Sequence, residues 1–543
     1  MTTLTPIQRL WRLLKIYKPE IRQIYIYALF IGIVNLSLPL GIQAIINYLQ
    51  TGELSSSWVI LVTVVLVGIT IAGLLQVLQL RIVENIQQDI FARSAFEFAY
   101  RLPQIKPKEL DGQHAPELAN RFFDTLTIQK GLPKILIDLS VSAFQILFGM
   151  ILLSIYSLYF ILLGLVLGFA LFMLVKVTGR IGLETSIKES KYKYNLAHWL
   201  EEIGRVRRTF HLSQDPSFHL KKSDDITVDY IRSRESHFRV LLDQFKAIIG
   251  FKVFIAAGIL VVGGVLVFNN QMNIGQFVAA EIVIILVINS VEKLLNIWDN
   301  VYDVLTAFEK IGFVTDMSLQ NESGNQKIKK QFPSSIVLKN VSFQYPNDQS
   351  SVFKKLSFEI PERSRVVLTG KTGAGKSTLL QILAGIQHID AGDILLNDIP
   401  YEKLDKKSFH QNLGVVLASN QIFEASFREN ILVGRDIPDS DLTEMLNNLG
   451  LTTYIKGLPK GLDTVMDSGG RRTPRCIIQK IHLARAICHR PGLLLMEDPL
   501  VNIPKNERHD LIKYLADKSH NWTLVVITDE DDWIENSTQT IKL

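Results

Sequence analysis

The sequence predicts an all-α membrane domain followed by an α/β domain, and three observations support this. Apolar residues, 48% of the 543, crowd into roughly the first 300 positions, as in a membrane protein with a water-exposed appendage. Uncharged stretches in that region are long enough to cross a bilayer as helices. Beyond Ser334, short apolar strands alternate with helical patterns, which implies an α/β layer fold. A chain of this length also exceeds what one hydrophobic core holds.

The net charge of +5 comes without any basic run interleaved with aromatics, so no nucleic-acid partner is predicted and the charge is assigned to membrane topology. The only cysteines, Cys476 and Cys488, lack metal-ligand spacing and fall in the later domain, so reduced thiols are expected. The N-terminal stretch has no cleavage-site pattern. Its basic amphipathic segment Ile7 to Lys18 reads as an interfacial helix within a region 1–21, and no segment is expected to be removed.

The membrane region, 22–317, contains the spans in order. Ile24 to Leu49 and Trp58 to Leu80 are the first two. Leu139 to Val175 is too long for one crossing and is expected to fold as a hairpin turning near Tyr156 to Tyr159. Val253 to Phe268 and Ile274 to Ser290, separated by the polar turn Asn269 to Asn273, complete six. The loops Gln50 to Ser57, Tyr156 to Tyr159 and Asn269 to Asn273 lack Lys and Arg, whereas Arg81 to Lys134 and Lys176 to Lys252 are rich in both. Lys and Arg are retained on the cytoplasmic side, so both termini are placed there. The two basic segments carry heptad-compatible apolar spacing, as though the helices continue beyond the bilayer. Glu281, inside the sixth span, reads either as lining a pathway or as an interhelical hydrogen-bond partner. Lys246 and Lys252 read as anchors at the inner interface.

The polar stretch 318–333 reads as a linker, and 334–543 as the second domain. Strands are expected at Ile336 to Tyr345, Arg365 to Thr369 and Leu493 to Met496. Directly after the second of these comes Gly370, Lys371, Thr372, Gly373, Ala374, Gly375, Lys376 and Ser377, which fits GxxxxGK[ST] between a strand and a helix, with Thr378 next. In this phosphate loop the glycines let backbone amides turn toward a phosphate, Lys376 neutralises its oxygens and the Ser377 hydroxyl can ligate Mg²⁺. ATP and Mg²⁺ are therefore the expected ligands.

With that motif in place the chain resembles the ATP-binding cassette family, in its exporter type with six spans per half. Phe343, Gln344, Tyr345 and Pro346 match the family's aromatic loop, and the resemblance implies that Tyr345 stacks on adenine. Gly461 to Val465, Ile481 to Ala486 and Pro491 to Pro499 follow in the family's order, so the resemblance covers essentially the whole chain. Around Gly275 to Val291 it is closest to bacterial type I secretion transporters, of a kind with no peptidase domain ahead of the first span.

Several positions depart from the family pattern. The Gln expected after Val415 to Leu417 falls on Ala418, with Gln421 three residues on. The signature LSGGQ aligns with Thr473, Pro474, Arg475, Cys476 and Ile477, so its glycines are gone and Pro474 lacks an N–H. Arg471, Arg472 and Arg475 read either as phosphate-attracting charges or as a solvated basic turn. The terminal Asp–Glu of the Walker B strand is reversed to Glu497 and Asp498, and the switch His aligns with Asp529. By resemblance, Glu497 serves the metal, Asp498 holds the attacking water and Lys376 completes the catalytic set. A water misplaced by about 1 Å costs roughly 10²-fold in rate, so nucleotide binding is expected to survive and hydrolysis to be slow.

The resemblance implies a subunit that couples ATP binding to export of a peptide, protein or other amphipathic cargo. It would act as a homodimer, or as a heterodimer with a second half-transporter, among lipids of a bacterial inner membrane and with a periplasmic adaptor as a further partner. The competing expectation is an ATP-binding membrane scaffold or regulatory subunit that transports nothing.

Overall fold

The computed structural model describes residues 4–51, 56–110, 115–213, 215, 217–320, 324–345, 350–419 and 421–543, so Pro346 of the aromatic loop lies outside the described residues. The chain divides into two compact units, Met1–Leu319 and Gln320–Leu543.

Helix α1 (Pro6–Ile16) opens the first unit. Pro6 occupies its first turn, and Thr5 and Gln8 cap each other's backbone N–H groups reciprocally. The first crossing is interrupted: α2 (Lys18–Val34) ends at Asn35, and α3 (Ser37–Thr51) resumes two residues before Pro39. Then come α4 (Ser56–Arg101), α5 (Asp124–Tyr156), α6 (Tyr159–Arg205), α7 (Phe218–Phe268) and α8 (Ile274–Thr315). Six helical stretches among the described residues are long and apolar enough to cross a membrane. The hairpin turns between Tyr156 and Tyr159, and α4, α6 and α7 run on into the basic segments as single helices. The Asn273 side chain and Gln276 form a second capping box that starts α8 directly after the polar turn.

Packing sorts these helices by environment. Residues such as Val64, Ile69 and Leu74 on α4 and Leu162, Leu165 and Phe169 on α6 are exposed apolar side chains, suited to lipid. In contrast, α8 buries Ala279, Ala280, Val283, Val287 and Val291 against its neighbours. Gly149 of α5 allows one such approach, because a Cβ there would stand 2.8 Å from Val287 Cγ2. Glu281, Asn289, Lys293 and Asn296 of α8 remain exposed, spaced so that they fall on one face. Lys252 pairs with Glu292 at 2.6 Å, a carboxylate partner that its reading as an interface anchor did not include.

In the second unit a four-stranded antiparallel sheet has the order β2–β1–β4–β5, formed by β1 (Ile336–Phe343), β2 (Phe353–Ile360), β4 (Ala391–Leu396) and β5 (Ile399–Pro400). The central sheet is parallel with order β11–β3–β10–β9–β6, from β3 (Arg365–Thr369), β6 (Leu413–Val416), β9 (Leu493–Glu497), β10 (Thr523–Ile527) and β11 (Gln539–Lys542). A small pair, β7 (Ala425–Ser426) and β8 (Val465–Met466), lies apart from it. Strands buried on both faces, such as Leu493 to Met496 and Thr523 to Ile527, read as continuous apolar runs because helices cover both sides. The polar stretch read as a linker is in part packed on this unit: Ile328 is buried in its core and Gln326 bridges to Leu404.

Candidate functional site

The site forms at the ends of the parallel strands β3 and β9, which lie on either side of β10 in the sheet. Chain reversal from β3 into helix α9 (Lys376–Leu383) uses Gly370, Gly373 and Gly375, with φ of 155°, 85° and 87°. Gly375 has no alternative, because a Cβ there would also stand 2.5 Å from Val352 Cγ1 and 2.8 Å from the Phe353 ring. The loop so formed presents the first turn of α9, whose free N–H groups and dipole favour an anion. Lys376 folds its ammonium back onto the Gly370 carbonyl, within the loop that would hold the phosphate. Lys371, Thr372 and Ala374 complete the loop as the sequence places them.

Glu497 closes the other side. One carboxylate oxygen accepts from the Ser377 hydroxyl and the other from the Ala418 amide at 3.1 Å. A hydroxyl and a carboxylate in contact at the phosphate loop are oxygen donors of the kind that Mg²⁺ selects, so Ser377 and Glu497 are the residues that would hold it. The Ala418 amide thus orients Glu497, while the Ala418 side chain offers no metal ligand. Tyr345 lies at the end of β1, its hydroxyl 3.0 Å from Thr378 Oγ1 and its ring edge-on to Phe343 at 5.0 Å between centroids. Thr378 thereby fixes the direction of the aromatic ring.

Asp498 follows Glu497 in an unusual conformation, with φ of 40°, held by its N–H donating to the Ile527 carbonyl at 3.0 Å. Its carboxyl is pushed above the usual carboxylate range by burial first, then by the charges of Glu497 and Asp529, with Lys376 acting in the opposite direction. The Asp498 carbonyl accepts from Gln479 Nε2 at 2.9 Å, and Gln479 Oε1 accepts from the Asn502 amide at 2.9 Å. Arg508 ties down the same loop, donating to the carbonyls of Ile503 at 2.7 Å and Val501 at 3.1 Å and pairing with Glu530. Sequence reasoning did not single out Gln479 or Arg508. The only available signal was an amide or guanidinium at a position otherwise facing a core, and spacing alone does not flag that.

The segment aligned with the signature leads into α10 (Arg475–Ile487), with Pro474 at the N-cap. The caps of Arg471 and Arg472 are local, their amides donating to the Asp467 carboxylate at 3.1 and 3.3 Å. Arg475, Ala418, Gln479, His482, Glu497 and Asp498 help line a cavity of about 330 Å³. His482 is 9% exposed and its Nε2 has no hydrogen-bond partner among the described residues; burial, aided by Arg485, pulls its pKa down to about 4. Gln421 contributes its carbonyl to Arg485 at 3.2 Å.

Comparison with known proteins bears on this arrangement. The family model for the ABC transporter transmembrane region matches residues 24–291, and that for the ABC transporter matches residues 353–501. The chain is 24% identical over 340 residues to the glutathione/L-cysteine transport system ATP-binding/permease protein CydC of Escherichia coli K12, covering 62% of this chain and 58% of that one. It is 25% identical over 350 residues to the cyclolysin secretion/processing ATP-binding protein CyaB of Bordetella pertussis, covering 63% and 48%. To the alpha-hemolysin translocation ATP-binding protein HlyB of Escherichia coli O157:H7 it is 25% identical over 286 residues, covering 51% and 40%. The chain spans about half the length of the curated relatives it matches. A structure of a bacterial Atm1-family ABC exporter with ATP bound shares its fold, with a TM-score of 0.82 at 17% identity over 97% of this chain and 94% of that one. The chain is an integral membrane protein that belongs to the ABC transporters, relatives of the type I secretion exporters among them, and it carries both the membrane region and the ATP-binding domain of that family.

Proposed function

We propose that this chain is one half of a dimeric exporter in which ATP binding drives closure of two ATP-binding domains and hydrolysis is slow. The observation that carries the reading is the contact of Ser377 with Glu497 at the mouth of the phosphate loop, which assembles the groups for a Mg²⁺-bound triphosphate. Mg²⁺, when bound, would neutralise β- and γ-oxygens and orient them. Lys376 would shift from the Gly370 carbonyl to the phosphate, and Tyr345 would cover the adenine. Asp498 would align the water for in-line attack. It is poorly suited to that role for two reasons: its side chain is one methylene short of Glu, and burial, followed by the charges of Glu497 and Asp529, favours its protonated form.

The dimer reading rests on Glu281, Asn289, Lys293 and Asn296. Such side chains are costly against lipid, so a helix face that exposes them, with Ile285 among them, calls for water or a second half opposite it. That polar lining suits a peptide-like cargo, in keeping with the glutathione/L-cysteine and cyclolysin systems among the relatives. The Lys and Arg distribution supports a cytoplasmic position for both termini, and the bacterial relatives support an inner membrane as the setting.

A scaffold that only binds ATP is the second reading, favoured by Pro474, which removes an amide where α10 begins. Turnover of the purified chain in nanodiscs separates the two. An exporter half shows Mg²⁺-dependent ATP hydrolysis that Lys376→Ala abolishes; turnover equal to that variant sinks the exporter reading in favour of the scaffold.

A further inference from the structure

A second charged cavity, of about 600 Å³, lies in the first unit between α1, α6 and α8, far along the chain from the phosphate loop. Its charges divide into satisfied and unsatisfied groups. Asp316 and Glu309 are taken by Arg9 of α1, at 2.5 and 3.6 Å. Glu184 pairs with Arg180 at 2.9 Å, and Arg121 sits 4.1 Å from the Phe313 ring centroid with Glu117 at 3.4 Å. Lys188, Lys191 and Lys310 remain, and among the described residues none of the three forms an ion pair, although Lys310 lies 5.2 Å from the Tyr194 ring centroid and feels the charges of Asp124 and Glu309. Among the described residues the buried Nε atoms of Arg9 and Arg121 also lack acceptors. A bound anion would give the unpaired Lys188 and Lys191 a counter-charge and these guanidinium groups an acceptor.

The location narrows the choice of anion. Helix α1 turns Ile7 and Trp11, 49% and 60% exposed, outward beside exposed Arg12 and Lys15, the composition of a helix that lies in a headgroup layer. Arg9, on the opposite side of the same helix, forms the cavity wall and donates to the Phe308 carbonyl at 3.0 Å. The cavity therefore opens beneath a helix suited to rest on a membrane surface.

We propose that this cavity binds a phosphate-bearing anion through Lys188, Lys191 and Lys310. A phosphate on a lipid headgroup and a phosphate free in solution present the same chemistry to these lysines, and the experiment separates the two. Binding is measured on the full chain by native mass spectrometry and thermal shift, with phosphatidic acid against phosphatidylcholine in nanodiscs, and with inorganic phosphate in detergent. A basic residue near anionic lipid contributes enough to change affinity roughly fivefold, so Lys188→Gln with Lys191→Gln is expected to weaken binding about 25-fold. Both lysines are exposed, so the variant is expected to fold, and Lys310→Gln gives an independent check. Lysine-dependent retention of phosphatidic acid that inorganic phosphate does not displace identifies a lipid; lysine-dependent binding of inorganic phosphate identifies a soluble anion. Binding of either probe that the substitutions leave unchanged, or no binding of either, overturns the proposal.

Discussion

The Ser377 hydroxyl donates to the Glu497 carboxylate, joining two residues 120 positions apart in the chain at the mouth of the phosphate loop. Because each is an oxygen donor to the same expected cation, removing either should act on the metal and leave the adenine alone. Ser377→Ala and Glu497→Gln are each expected to abolish the tightening of ATP binding by Mg²⁺ while leaving metal-free binding within about twofold. Fluorescent-nucleotide titration with and without Mg²⁺ measures this, and retention of the Mg²⁺ effect in both variants removes these residues from the metal site.

Lys376 lies within the phosphate loop and is the loop's point charge. Lys376→Ala should weaken ATP binding about tenfold or more, the loss of one charge-assisted contact of about 1.5–3 kcal/mol. Isothermal titration in the presence of Mg²⁺ checks the magnitude.

The order of the carboxylates at the end of β9 gives a gain-of-function test. Exchanging them, as Glu497→Asp with Asp498→Glu, restores the longer side chain at the second position. ATP turnover should then rise by about tenfold to 10²-fold, the range expected from correcting a reach of about 1 Å. An unchanged rate would remove the carboxylate order as the cause and leave Ala418, Asp529 and the segment Thr473 to Ile477.

Asp498 also makes a stability prediction. Its folded pKa lies above the unfolded value, so its contribution is greatest at low pH and is lost as pH rises through the folded pKa. Asp498→Asn is expected to raise the melting temperature at pH 7, and the gain should close below about pH 4, where both states of the wild-type carboxyl are protonated. Melting curves across that range provide the readout.

His482 and His489 act in the opposite sense, because burial pulls both down to about 4. Their contribution is present above the unfolded value of about 6.5 and is lost as pH falls toward 4, up to about 3 kcal/mol for each ring. His482→Gln should flatten the acid limb of the stability profile between about pH 6.5 and 4; an unaltered limb would exclude His482 as a contributor.

Most of the architecture is legible in the sequence because its signals are local. Six crossings follow from apolar length, the hairpin from one run too long for a single crossing, and the phosphate loop from glycines that alone adopt the needed φ values between a strand and a helix. The break at Asn35 and Leu36 and the packing of Ile328 were not legible, since each depends on what lies against the segment. The same holds for Arg365, which is 2% exposed and donates to the carbonyls of Ala516, Arg363, Trp522, Asp517 and His520. In the sequence it is only the first residue of a strand.

By itself, then, the sequence determined the two kinds of domain, the crossings and the residues able to hold a nucleotide, because periodicity, length and backbone freedom are properties of neighbouring residues. Tertiary structure alone decided that Glu497 meets Ser377 and the Ala418 amide, that Gln479 fastens the loop after Asp498, and that three lysines converge on one cavity. These depend on long-range proximity, where burial and charge act between residues the chain order keeps far apart.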